Sequence, residues 1–365
     1  MYKLRSWIDI NKINWKWLSK NPNAIDLLEK NNDKIDWTEL SANPNAIHLL
    51  EKNKDKINLE RLSKNPNAIH LLEKNIDKKK CSKLLSKKLE FILSIFIYRE
   101  INKINWYLLS CNPNAIHLLE MNKDKIKWSW LSSCNPNALH LLEKNMNKIN
   151  WYELSMNPNA IHLLEKNIDK ICWHRLSMNP NAIHILEKNN DRIDWLWLSK
   201  NPNAIMLLEK NNDKIDWSML SLNPNAIHIL TKNKNKIDWY NLSLNTNAMM
   251  LLEENVDKIN WNNLSKNPNA IHLLEKNIDK VSWYWLSSNI NAIHLLEKNV
   301  EQIYWNMLSL NPSIFELDYE ALEKRCNIYK EELIQKALHP SVMMRCLNHP
   351  DSKDKDLDYI LDNCF

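Results

Sequence analysis

Histidine is the side chain best suited to chemistry in this sequence, and it recurs at one position of a repeating pattern. It stands at 48, 70, 117, 140, 162, 184, 228, 272 and 294. Such a series could serve as a metal or phosphate ladder. Equivalent positions on packed helices, however, stand about 8–10 Å apart, whereas zinc needs several nitrogens at about 2.1 Å. The same position accepts Asp26, Met206 and Met250, so it reads as a half-exposed helix flank. Cys326, His339, Cys346 and His349 are also of zinc-ligand type, but their spacing matches no zinc module. The chain has no glycine at all, which rules out a glycine-rich phosphate loop, and it contains neither G-x-S-x-G nor H-E-x-x-H. The repeated carboxylates of the Glu29 and Asp33 type stand beside Lys30 and Lys34 and read as solvated neighbours, not as an acid–base pair. The expectation is a non-catalytic protein with no metal and no cofactor.

A second series is aromatic. Tryptophan stands at 15, 37, 106, 128, 151, 173, 195, 217, 239, 261, 283 and 305, with Leu59 replacing it once. A ladder of open rings would stack nucleic-acid bases. The leucine exception favours a spine within the core. The two positions after each tryptophan vary instead: Lys16 and Trp17, Thr38 and Glu39, Glu60 and Arg61, Tyr107 and Leu108, Ser129 and Trp130, Tyr152 and Glu153, His174 and Arg175, Leu196 and Trp197, Tyr240 and Asn241, Tyr284 and Trp285. Variation on a constant frame, rich in Trp, Tyr and Arg, has the composition of protein-interface hot spots. The candidate partner-binding residues are therefore Trp17, Arg61, Tyr107, Trp130, Tyr152, Arg175, Trp197, Tyr240, Tyr284 and Trp285.

The element that positions these residues is a repeat of 22 residues, N-P-N-A-I-H-L-L-E-K-N-x-D-K-I-x-W-x-x-L-S-x. Its first half predicts a helix of about nine residues, with Asn43 as N-cap and Pro44 at the first helical position. The closing asparagine, Asn53 and its equivalents, takes the place glycine usually holds after a helix, where a left-handed φ is expected. The second half predicts a shorter helix with Asp36 as N-cap and Ile35 packing toward Leu40. Neither helix is long enough to persist alone, so stability must come from stacking of neighbours. The fold class expected is all-α: an α-solenoid, or superhelix, of about fourteen two-helix repeats over 1–312, roughly 110–140 Å along its contour. Residues 313–365 read as a C-terminal helical cap.

One stretch breaks the register. The step from Asn65 to Asn112 spans two repeats plus three residues, and 79–100 has lost the consensus, which reads as a degenerate repeat and the weakest joint of the array. Composition adds bounds. Average usage would give about 26 glycines, and lysine outnumbers arginine 42 to 7. That bias is the mark of an AT-rich genome, against which 17 tryptophans must be held in place structurally. The net charge of +5 is spread evenly and lacks the basic stripe of a nucleic-acid module. Seven cysteines at scattered offsets read as free thiols in a reducing compartment. With no apolar leader and no run long enough to span a bilayer, the chain reads as soluble and intracellular.

The segments NPNAIHLLEKN, DKINW and NPSIFELDYEALEKRCNIYKEELIQKALHPS resemble the 22-residue repeat proteins of nucleocytoplasmic giant DNA viruses of the mimivirus kind. The alternation of one α-helix with a very short one is similar to leucine-rich variant repeats. The resemblance implies an AT-rich viral genome and a place in the cytoplasm of an infected host cell, virus factory or virion, and brings no catalytic or binding residue with it. The function expected is a monomeric protein-interaction scaffold for a host or viral protein, with no membrane contact. The alternatives are an RNA or single-stranded nucleic-acid binder reading one nucleotide per repeat, and a virion or virus-factory structural component.

Overall fold

The computed structural model describes residues 1–76 and 103–337, with the single positions 339 and 344. Two compact units are present: Ser6–Ile314, and Met1–Arg5 together with Phe315 onward. The first carries the repeats, and its described residues form short helices joined by turns.

A mid-array repeat shows how the consensus folds. Asn201 to Ala204 form a turn in which the Asn201 side chain accepts the Asn203 N–H at 3.1 Å. The α-helix begins only at Ile205 and runs Ile205–Lys210. It is therefore shorter than the nine residues the sequence suggests, because Asn-Pro-Asn spends its residues on the turn. A 3₁₀ helix, Asn212–Lys214, follows, then the second helix, Trp217–Ser221. Asp216 caps that helix by accepting the Met219 N–H at 2.8 Å, the cap read from the sequence.

The asparagine that closes the first helix works differently from expectation. Asn211 has φ −129° and ψ 50°, and no described residue has positive φ. Its side-chain amide donates to the Leu207 carbonyl at 2.8 Å, one of the orphan acceptors that every helix end leaves. The position calls for an amide donor, not for a left-handed backbone.

Neighbouring repeats are joined by buried polar side chains. Asn201, 2% exposed, donates to the Ser177 and Asn179 carbonyls of the preceding repeat at 3.1 and 3.0 Å. Asn203 donates to the Pro180 carbonyl at 2.9 Å. Ser199 donates to its own Trp195 carbonyl and accepts the Asp216 N–H of the next repeat at 3.0 Å. Around these bonds lie Ala204, Leu207, Leu208, Ile215 and Leu220, all buried. The invariant letters of the consensus are thus the apolar core plus one set of inter-repeat hydrogen bonds.

The asparagine-to-serine bond recurs thirteen times among the described residues, at 2.9–3.4 Å. Two of its rungs add to the sequence reading. Asn112 donates straight to the Ser63 and Asn65 carbonyls, so the repeats on either side of 77–102 stack on each other directly. The segment 79–100, read from the sequence as a degenerate repeat, lies outside the described residues. At the other rung, Asn21 of the first repeat donates to the Ser309 and Asn311 carbonyls of the last at 3.2 and 3.0 Å. Asn23 reaches the Pro312 carbonyl and the Asn14 N–H reaches Ser309 Oγ. Helix Trp15–Leu18 packs on Trp305–Leu310 as other second helices pack on their neighbours. The repeat unit is the all-α solenoid expected from the sequence, and it closes on itself, its first and last repeats bonded as neighbours within the array are.

In the second unit, β1 (Tyr2–Leu4) pairs antiparallel with β2 (Phe315–Leu317), Lys3 opposite Glu316. Arg5 and Lys3 both reach the Glu316 carboxylate, at 3.5 and 3.8 Å. Asp318 caps the helix Tyr319–Ala337 by accepting the Ala321 N–H, and most of that helix is exposed.

Candidate functional site

The tryptophan series is neither a fully buried spine nor an open stacking ladder. Trp106 is buried, while the other eleven are half-buried. In ten of the twelve, a lysine or arginine of the neighbouring repeat lies over the ring, 4.5–5.4 Å from its centre. Lys236 over Trp217 is the closest, at 4.5 Å. The pair at the closure, Lys12 over Trp305, obeys the same rule. Each of these ten indoles is therefore covered by a cation of the neighbouring repeat, an interaction that strengthens as the site is desolvated.

Histidine occupies the flank read for it and has a partner there. Seven of the series reach a glutamate on the preceding first helix: His48 to Glu29 at 3.7 Å, His70 to Glu51 at 3.0 Å, His140 to Glu120 at 3.1 Å, His162 to Glu143 at 2.8 Å, His184 to Glu165 at 2.7 Å, His228 to Glu209 at 2.8 Å, and His272 to Glu253. Lys52 hydrogen-bonds Glu29 as well, and that bond holds the Glu29 carboxyl below its usual 4.5 against a smaller opposing effect of burial. No group of three metal-ligating side chains exists among the described residues; Cys346 and His349 lie outside them.

The variable positions after tryptophan carry the exposed aromatic surface. Tyr240 is 59% exposed, Tyr107 51%, Tyr152 48%, Trp130 45% and Tyr284 43%, while Trp17, Trp197 and Trp285 are half-buried. The structure joins them in small clusters. Tyr107 meets Trp130 edge-on at 6.1 Å and has Lys127 over its ring. Arg175 lies over Tyr152 at 4.5 Å, with Glu153 3.8 Å from the same guanidinium. His174 stands edge-on to Trp197 at 5.6 Å. Trp285 sits under Lys266 at 3.9 Å and beside Tyr284 at 4.9 Å. Trp17 lies under Lys20 at 4.2 Å. Among the described residues Tyr240 makes no ring contact.

Arg61 belongs to a different cluster. With Lys20 it flanks Glu39, 5% exposed, at 3.6 and 3.3 Å. Two neighbours escaped the sequence reading. Glu39 was only the partner of Thr38 in a variable pair, and nothing local marks it as buried. Tyr304, 53% exposed, stands edge-on to Tyr284 at 5.5 Å. Its signal was available: it occupies the cap position that Asp or Asn holds in most repeats.

Where helices of neighbouring repeats pack most closely they are second helices, as with Trp195–Lys200 on Trp217–Ser221 and Trp15–Leu18 on Trp305–Leu310. In an array that closes, spacing falls toward the axis, so the second helices lie on the inner side of the repeat unit. Among the described residues no helix is long and apolar enough to cross a membrane.

Set against protein-family models, curated proteins and solved structures, the sequence matches none. What can be said of function rests on the geometry of the repeat.

Proposed function

We propose that this chain is a non-catalytic scaffold that holds a protein partner against the band of variable residues following each tryptophan. The observation that carries the reading is the contrast within one repeat. The consensus letters are consumed by core and inter-repeat bonds, whereas Tyr107, Trp130, Tyr152, Tyr240 and Tyr284 spend large aromatic surface on solvent. Rigid aromatics on a preorganised frame gain contact area at low entropic cost, and Tyr, Trp and Arg dominate interface energetics. Arg175, stacked on Tyr152 and steered by Glu153, is the polar anchor of the band. The nucleic-acid reading is less well supported, because cations of the protein itself already lie over the tryptophan rings. The composition and the repeat resemblance favour a protein working in the cytoplasm of a virus-infected cell.

The test is site-specific photo-cross-linking in cells expressing the full chain. A benzoylphenylalanine at Tyr152 or Tyr240 should capture one discrete protein, and the same group at Lys210, on a first helix, should not. Equal capture from all three sites, or capture of RNA from the first two, would contradict the reading.

A further inference from the structure

Along the helix Tyr319–Ala337 of the second unit, Tyr319, Leu322, Cys326, Tyr329 and Leu333 follow one another at steps of three, four, three and four residues. These are the a and d positions of a heptad repeat, the spacing that lines one face of a helix for a partner helix. Tyr319 is 72% exposed, Leu333 66% and Tyr329 50%; Cys326 is exposed and Leu322 half-buried. Ile328 and Ile334 stand off this line. We propose that the seam is a self-association surface, on which the same helix of a second copy of this chain packs antiparallel.

The charges beside the seam select this occupant. Glu323 and Lys330 hold the e positions, Arg325 and Glu332 the g positions, and such residues set partner choice and orientation. In an antiparallel pair, e faces e and g faces g. With Leu322 opposite Leu333 of the second copy and Cys326 opposite Tyr329, Glu323 faces Lys330 and Arg325 faces Glu332. Two-fold symmetry repeats both contacts, so all four join opposite charges. A parallel pair instead sets Arg325 against Lys330 and Asp318 against Glu323, like against like. Sliding the antiparallel copies by one heptad sets Arg325 against Arg325 in one direction and Glu332 against Glu332 in the other. Of these four arrangements, one alone has no like-charge contact. Arg325 already lies over the Tyr329 ring at 5.6 Å, at the edge of the seam. The helix is about 28 Å long, so the interface is small and the dimer weak and reversible. This reading does not rest on the protein partner proposed above, and its failure would leave that one intact.

The test is sedimentation equilibrium of the full chain under reducing conditions, over a wide range of concentration. A reversible monomer–dimer equilibrium is expected. Leu333→Asp puts a carboxylate into the seam and should abolish the dimer. Arg325→Glu turns two symmetric contacts repulsive and should weaken it about tenfold or more. Adding Glu332→Arg restores opposite charges and should recover the dimer, which separates loss of pairing from loss of fold. In a parallel dimer Arg325→Glu would meet Lys330 and strengthen association. A full chain that stays monomeric throughout, as when another segment of the same chain covers the seam, would overturn the proposal. So would a dimer untouched by Leu333→Asp, one strengthened by Arg325→Glu, or one that Glu332→Arg fails to rescue.

Discussion

Replacing Asn201 by alanine removes three hydrogen bonds whose fates differ. The Ser177 carbonyl loses the amide that reaches it at 3.1 Å and is left buried without a donor, at about 1–3 kcal/mol. The Asn179 carbonyl keeps the Ala182 N–H at 3.2 Å, and the loss of its second bond costs about 1 kcal/mol. The Asn203 N–H loses its turn partner at similar cost. The sum is about 3–5 kcal/mol, large for one surface-sized side chain. Asn201→Asp should cost still more, because a carboxylate cannot donate and would face two carbonyls. Asn203→Ala, which removes one exposed bond, should cost about 1 kcal/mol or less. The decisive member of the series is Asn21→Ala. Asn21 is 1% exposed and makes the same two bonds across the closure, so it should cost as much as Asn201→Ala. Denaturant unfolding at constant m-value reads all four. If Asn21→Ala costs no more than Asn203→Ala while Asn201→Ala costs the full amount, the first repeat has an open face and the reasoning fails.

Trp217 is half-buried, so Trp217→Ala should cost about 2–3 kcal/mol by denaturation, below the 3–5 kcal/mol of a fully buried aromatic, and a larger loss would place the ring in the core. Lys236→Ala should cost about 0.5–1 kcal/mol and change the indole fluorescence, whereas silence in both would mean the cation does not cover the ring. Because Lys52 lowers the Glu29 pKa, the stability this pair contributes is present above the unfolded value and lost as pH falls through the folded one. Lys52→Ala should therefore raise the Glu29 carboxyl titration seen by NMR, and its effect on stability should vanish in acid; an unmoved titration would contradict the assignment. Burial, with Cys134 beside it, pushes the Cys111 thiol pKa up, so a thiol reagent at mildly alkaline pH should modify exposed Cys326 before Cys111. The reverse order would refute that.

Much of this protein is legible in its residues, for a physical reason. The 22-residue period, the Asp216-type caps and the half-exposed histidine flank follow from local rules acting on one repeat. Asn211 was misread because glycine and asparagine share the post-helix position for two reasons, left-handed backbone and side-chain donation, and the sequence does not say which applies. The coverage of Trp217 by Lys236 is a contact between repeats, hidden from any reading confined to one. The closure was hidden most deeply, although a clue existed: the first repeat retains Asn14, Asn21 and Asn23, donors that would face nothing in an open array. The direct stacking of Asn112 on Ser63 and Asn65 was masked by arithmetic, since a 47-residue step fits two repeats nearly as well as one repeat and an insertion. In the candidate site, exposed tyrosines were found because they vary on a constant frame. Buried Glu39 was not, because its burial depends on Lys20 and Arg61 in other repeats.

Closure is the claim on which the inward placement of the aromatic band depends, and a proximity measurement addresses it directly. Lys16 and Asn306 are exposed residues on the second helices of the first and last repeats, and the side-chain amide of Asn14, two residues before Lys16, donates to Asn306 Oδ1 at 2.8 Å. Pyrene is attached at Lys16→Cys and Asn306→Cys in a chain whose native cysteines are replaced by serine. The adjacent-repeat pair Lys16→Cys with Thr38→Cys serves as the positive control, and each single variant as the negative. The closed array predicts excimer emission from the Lys16 and Asn306 pair as strong as that of the control, independent of protein concentration and lost on unfolding. Monomer emission alone from that pair, with a bright control, would show that the first and last repeats stand apart.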